Sequence, residues 1–385
     1  MTPESLPLRS LRSFVEERSY RGFDPYDALN SPLRGVLSGE LKYGRIFWTQ
    51  LCRRSCVNLR PLLMIREGEN PKGLGLFLWG YAKLYQMRPD ECILEKMTYL
   101  ADRLRALICE GYAGNCWGYN FDWQSRAFFL PKGTPTVVNS SFIGHALIDA
   151  YTVTENRDFL DMAVSIKDFI LNDLNRLEED DAICFSYTPI DTYYVHNANL
   201  LGASLLARLS GLMGDDALRD VAVKSLAYSM RHQRADGSWY YAERETSYWI
   251  DSFHTGFNLQ AVKCFLDSGV GEEYRKQFEK GVAFYAENFF LADGTPKYFH
   301  DRVYPIDIHA PAQAVVFFSQ MGVKYRALTE RVYTWMVDNL WDERGYFCFR
   351  KGRFLTNRIP YMRWGQAWAF HALTSYCLMT GNNDE

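Results

Sequence analysis

Asp251, His254 and Asn258 stand at i, i+3 and i+7 in the stretch WIDSFHTGFNL, which places them on one face of a single helix. Asp251 is the carboxylate best suited to general acid–base work, with His254 beside it. The alternative for Asp251 is a helix cap, since Asp followed by Ser252 favours that role, and for His254 a buried ring satisfied by a carbonyl. Three other stretches carry a similar polar mixture. Tyr194, His196, Asn197 and Asn199 form one; Asp307, His309 and Gln313 a second; Tyr361, Arg363 and Gln366 a third. Their structural alternatives are a cap for Asp307, an ion pair for Arg363 and a backbone bond for Gln366. Asn139 and Trp249 join them as binding candidates. The segment CWGYNFDWQSR crowds Trp117, Tyr119, Phe121 and Trp123 around Asn120, Asp122, Gln124 and Arg126. Aromatic faces stack on sugar rings while carboxamides and carboxylates bond hydroxyls; otherwise such a loop plugs a cavity.

The elements that must hold these residues are legible in a repeat. Apolar helices end at Gly214, Gly269, Gly322 and Gly381, spaced by 55, 53 and 59 residues. Glycine suits the left-handed position that closes a helix. Counting back 18 residues from each reaches His196, Asp251, Tyr304 and Arg363, polar positions at the starts of otherwise apolar helices. Amphipathic helices are expected at 92–108, 157–174, 216–234, 272–290 and 325–340. Each leads into a glycine turn and a short aromatic arm, such as ADGSWYY at 235–241, ADGTPKYF at 292–299 and DERGYFCF at 342–349. Buried helices are expected to begin near Leu74, Val137, Asn197, Ser252, Ala310 and Gly365, because their apolar residues run nearly all round. Five outer helices follow them, and Leu37–Ser55 is the expected sixth. Units of this size, repeated six times, predict an all-α (α/α)6 barrel, a closed toroid of six helical hairpins with short aromatic β-arms, over residues 1–385 as one domain. The starts of the buried helices then gather at one mouth.

Composition narrows the function. Lys and Arg number 43 against 46 Asp and Glu, a net charge of −3, which argues against nucleic acid as partner. Aromatic residues make up 16% of the chain, more than core filling explains. Nine cysteines, mostly in apolar stretches, read as reduced packing residues. No run of apolar residues approaches membrane-spanning length and the first residues lack a signal-peptide core, so a cytoplasmic protein is expected. Metal-ligand spacings, a GK[ST] phosphate loop and GxSxG are absent; neither metal nor cofactor is expected.

QRADGSWYY followed by YWIDSFHTGFNL resembles the repeats of six-hairpin carbohydrate-active enzymes. QxxDGSW is also similar to the repeat of terpenoid cyclases, but the chain has neither DxDD nor DDxxD. CWGYNFDWQSR together with YVHNANLLGASLL resembles helical-toroid proteins of bacterial exopolysaccharide biosynthesis. WIDSFHTGF resembles the Asp-bearing helix start of unsaturated glucuronyl hydrolases, in which that residue protonates or hydrates the sugar double bond. These resemblances imply an oligosaccharide or polysaccharide partner, acidic or acetylated, and an enzyme acting by hydrolysis. Asp251 would be the acid–base and Asp122 or Asp307 the second carboxylate, about 5–5.5 Å away for retention or about 6.5–9.5 Å for inversion. A uronate lyase or C5-epimerase is the alternative, with Tyr194, His196 and Arg363 around one substrate carboxylate. A third reading is a non-catalytic glycan-binding protein of exopolysaccharide assembly.

Overall fold

The computed structural model describes residues 5–37, 41–124 and 129–381; Arg126 lies outside the described residues. The helices in chain order are α1 (Leu6–Glu17), α2 (Arg34–Leu37), α3 (Lys42–Arg54), α4 (Pro71–Met87), α5 (Glu91–Arg105), α6 (Val137–Thr154), α7 (Arg157–Val164), α8 (Ile166–Asn172), α9 (His196–Met213), α10 (Asp216–Arg231), α11 (Ser252–Asp267), α12 (Arg275–Asn288), α13 (His309–Phe318), α14 (Val323–Leu340) and α15 (Trp368–Gly381). The inner set is α4, α6, α9, α11, α13 and α15. Each packs on the next, and α15 returns to α4, closing the toroid. Four expected starts match within a residue; α4 begins slightly earlier because Asn70 caps it and Pro71 suits its first turn, and the last inner helix enters through a π-helical turn, Met362–Ala367, before α15.

These helices are inner because they have no polar stripe: every residue of α13 is buried. Close approach needs small residues where rods cross. A Cβ on Gly80 of α4 would lie 2.5 Å from Phe370 of α15, at the ring-closing contact. The outer layer is α5, α7 with α8, α10, α12 and α14, each antiparallel to its inner partner. Alternation of inner and outer helices makes all inner helices run the same way, so their N-termini share one end.

The sixth outer place is a correction to the sequence reading. α1 fills it, burying Leu8, Leu11, Phe14 and Val15 against α15 and the 346–347 arm. Leu37–Ser55 does not close the ring. Its helix, α3, packs instead on the 27–30 turn and on Trp123–Gln124 at the mouth, because its buried face is short, with Thr49 and Cys52 the buried residues.

The aromatic arms lace one repeat to the next. A backbone N–H at the start of an inner helix donates to an aromatic carbonyl in the loop preceding the following inner helix: Val137 to Tyr187 (3.1 Å), His196 to Tyr241 (3.3 Å), Ser252 to Tyr298 (2.9 Å) and Ile308 to Phe349 (3.1 Å). Met362 donates to Phe23 (3.0 Å), which carries the stitch from the last repeat back to the first. These bonds satisfy N–H groups that a helix start leaves unpaired. Some arms are hairpins, as where Trp341–Asp342 pairs with Tyr346–Phe347. The 235–241 arm is a turn, with Gly237 at φ +91° against the Lys280 carbonyl, where a Cβ would come to 2.6 Å. All nine cysteines are free.

Candidate functional site

The start of α11 builds a small recess at the mouth. Asp251 caps the helix: Oδ1 accepts the His254 amide at 3.0 Å. Its Oδ2 accepts His254 Nδ1 at 2.7 Å and Trp249 Nε1 at 3.2 Å. The cap and the acid–base reading of Asp251 are therefore compatible, since one oxygen serves each. With Nδ1 bonded to the Asp251 side chain, Nε2 is the other ring nitrogen of His254, and the ring lines the recess. The His254 side chain is 23% exposed while Asp251 is buried. Trp249 stacks on Tyr241 with centroids 4.6 Å apart, and Tyr241 also touches the His254 ring. Asn197 and Asn258 complete the lining, each with a buried Oδ1 that no donor reaches. The free space is about 10 Å³, room for one water.

The other sequence candidates go elsewhere. His196 turns outward between α9 and α10, with Nε2 2.7 Å from Glu243 and Nδ1 3.3 Å from Ser229. Burial pushes its pKa down against the pull of Glu243. Tyr194 packs with Cys184 and Tyr228 on that outer side. Asn199 is spent on Phe185, Ser225 and Ser229. Asp307, fully buried, accepts from Trp364 Nε1 (2.7 Å) and the His309 amide on Oδ1 and from Arg350 (2.9 Å) on Oδ2. Arg363 forms a two-pronged bond to Asp24 at 2.6 and 2.8 Å. Tyr361 accepts from Arg60 at 2.8 Å, and Gln366 bonds both the N–H and the carbonyl of Phe347. Tyr194, His196 and Arg363 therefore do not surround one point. The structural alternatives for Arg363 and Gln366 are what the geometry displays; Asp307 is held by Arg350 and Trp364, while Ile308 stands at the cap position of α13.

The aromatic loop divides. Trp117 is core, its Nε1 donating to the Leu104 carbonyl. Tyr119 meets the Tyr187 hydroxyl at 3.3 Å and stacks on Phe121, while Trp123 packs against Tyr26, Tyr119 and Tyr187. These rings plug the mouth. Gln124 accepts from Arg45 at 2.9 Å. Asp122 binds Arg34 and the Lys132 amide, away from the recess. Asn139 is fully buried, and neither side-chain polar atom has a partner among the described residues.

Two features escaped the sequence reading. Lys72, on the first turn of α4, lies inside an aromatic box, with Nζ 4.2 Å from the Phe142 centroid, 5.3 Å from Phe257 and 5.5 Å from Trp368. Burial, and then Arg363, hold its pKa well below the ordinary range. Beside it His309 stacks on Phe253 at 4.5 Å, with both ring nitrogens unbonded. Burial, then Lys72, keep that ring neutral. The second feature is a cavity of about 280 Å³ at the opposite end, where the inner helices finish. There Asp149 accepts from Trp79 Nε1 (2.5 Å) and Arg208 (2.6 Å). Arg208 also approaches His145 Nδ1 at 3.3 Å, so that ring donates from Nε2 to Ser204 Oγ (3.1 Å), whose own proton goes to the Leu201 carbonyl. Ser204 is thus a hydrogen-bond relay rather than an activated nucleophile. No signal in the sequence marks this set, because each helix supplies one or two members at unrelated spacings.

Comparison with known proteins returns fold but not family. No family model and no curated protein matches the chain. Among solved structures it is similar to the cellobiose 2-epimerase of Bacillus thermoamylovorans, with a TM-score of 0.63 and 15% identity over 82% of this chain and 88% of that one. A GH76 alpha-mannanase of Bacteroides thetaiotaomicron gives 0.62 and 13% over 82% and 88%. A D-mannose isomerase gives 0.57 and 10% over 81% and 86%. The chain has the (α/α)6 toroid fold of these carbohydrate-active enzymes.

Proposed function

We propose that the chain is a carbohydrate-processing enzyme that moves a proton at a sugar carbon next to a carbonyl, giving an epimer or an isomer. The observation that carries this reading is the 2.7 Å bond from His254 Nδ1 to Asp251, with Nε2 left at the recess. His254 takes the proton from carbon, the imidazolium is held by Asp251, and the negative charge moves onto the carbonyl oxygen as an enediolate. Protonation of the same carbon on its opposite face by a solvent-derived proton, with His254 giving its own proton to solvent, yields an epimer; return of the proton to the former carbonyl carbon, with the neighbouring hydroxyl proton passing to the former carbonyl oxygen, yields an isomer. The unbonded oxygens of Asn197 and Asn258 are acceptors for sugar hydroxyls, and Trp249 on Tyr241 is a stacking platform.

Hydrolysis would keep Asp251 as the acid and needs a second carboxylate. Neither Asp307 nor Asp122 lines the recess, so we favour proton transfer. The similarity to an epimerase and an isomerase as well as to a mannanase is consistent with that preference. The test is incubation with reducing mono- and disaccharides and with uronates in D2O, read by NMR. Deuterium at the carbon beside the carbonyl, with an epimeric or isomeric product, is the expected result. Shorter sugars appearing without deuterium on carbon would overturn the proposal in favour of hydrolysis.

A further inference from the structure

α3 is amphipathic in an unusual sense, because its outward face is the apolar one. Tyr43, Phe47 and Leu51 stand at i, i+4 and i+8, one stripe, and are 82%, 64% and 40% exposed. The opposite side, with Trp48 and Cys52, rests on Ala28, Leu63 and Ile65. A second exposed apolar element adjoins it. The hairpin of Arg350–Lys351 and Thr356–Asn357 is tied to the end of α3 by Asn357 Nδ2 donating to the Ser55 carbonyl at 2.8 Å. Its tip carries Phe354 and Leu355, 86% and 72% exposed, within about 10 Å of that bond by chain length.

Charge singles out the same two segments. From Leu41 to Arg66 there are six Lys and Arg and no Asp or Glu, in a chain whose net charge is −3. From Arg344 to Gly381 there is again no acid. Several of these cations are consumed internally: Arg60 by Asp27, Arg350 by Asp307, Arg344 and Arg358 by Asp342, and Arg363 by Asp24. Lys42, Arg54, Arg66 and Arg353 remain exposed beside the apolar side chains. Glu67 is the acid that follows the first segment.

We propose that this face is a peripheral docking surface for a membrane bearing anionic lipids. Aromatic and aliphatic side chains enter the headgroup level while the surrounding Lys and Arg meet anionic headgroups, as interfacial helices do. No described helix is long and apolar enough to cross a membrane, so the contact is superficial. Charge complementarity selects this occupant over a second copy of the chain. A two-fold contact would set the same basic patch against itself.

The full chain is tested by co-sedimentation with vesicles of phosphatidylcholine alone and with about a third phosphatidylserine, at low and high salt. Binding is expected only to the anionic vesicles, and it weakens as salt screens the charges. Tyr43→Ser combined with Phe47→Ser and Phe354→Ser, and separately Lys42→Glu combined with Arg54→Glu and Arg353→Glu, should each lower the partition constant at least about tenfold. Because all six side chains are exposed, Tm should stay within about 2 °C. Failure of the unaltered chain to bind anionic vesicles overturns the proposal. So does binding by both variants that matches the unaltered chain, or a concentration-dependent dimer that the same substitutions dissolve.

Discussion

The two ends of the toroid are built from the same six rods and differ in what their side chains are doing. Around the start of α11 the mouth presents the Asp251–His254 pair, the stacked Trp249–Tyr241 platform and the Asn197 and Asn258 amide oxygens, which have no donor among the described residues. At the far end the cavity is larger, but Asp149, Arg208, His145 and Ser204 satisfy one another. Helix N-termini carry partial positive charge and C-termini partial negative charge. The far-end cations stand before the last turns of α4, α9 and α11, where that effect has faded, and they are held by acids instead: Arg208 by Asp149 and Lys263 by Asp267. Size points to the far end. Unspent bonding capacity, with one nitrogen of a positioned histidine left over, points to the mouth.

Several changes would break or sharpen that contrast. The largest effect should come from the frame behind the mouth. Asp24→Ala leaves Arg363 buried without its partner, and breaking such a pair costs about 3–5 kcal/mol; a Tm within a degree or two of the parent would refute the framing role. Next is Asp251→Asn. Asparagine still caps α11, so melting should hardly move, while loss of the charge that orients His254 should lower kcat by about 10–1,000-fold. A fall in Tm matching the fall in activity would mean that only the cap mattered.

Acid stability distinguishes the ends more gently. Burial, followed by Arg208, holds His145 at about 3, and burial holds His309 and His371 well below their ordinary range. Each is depressed in the folded state. The stability they contribute is complete above the unfolded value near 6.5 and declines as pH falls toward the folded one. The unfolded chain takes up protons that the folded chain refuses. The slope is about 1.4 kcal/mol per pH unit for each such histidine. Chemical denaturation at pH 7, 6 and 5 should show it, and replacing His145 and His371 together by Gln should remove the far end's larger share. A slope unchanged in that variant would contradict this assignment. The smallest effect is expected for Lys83→Met. Burial, and then Arg208, depress the Lys83 pKa against the pull of Asp149, so losing the amine should change stability by less than about 1 kcal/mol in either direction.

Much of this architecture is legible in the residues. Glycine terminators at 214 and 269 adopt the left-handed conformation expected of them, and the apolar inner helices begin where their patterns do. The aromatic arms were visible as a repeat, yet their role as stitches was not, because the bonds run from carbonyl oxygens that every residue possesses. α1 escaped notice because its partner, α15, lies at the other end of the chain. At the site, Asp251, His254 and Asn258 share a face by spacing alone. His196 occupies the equivalent place in its own repeat but turns outward, because Ser229 and Glu243 offer its ring two partners there. Lys72 carries no local signal at all. Its box of Phe142, Phe257 and Trp368 comes from three other helices.

The account stands on the mouth, not the roomier far end, being the place where bonds are made and broken. Turnover of one responsive sugar by His254→Gln and by Lys83→Met, measured side by side, asks this directly. The expected result is a loss of about 100–10,000-fold in kcat for the first and a rate within about threefold of the parent for the second. Near-normal turnover by His254→Gln, with collapse in Lys83→Met, would move the chemistry to the other end of the barrel.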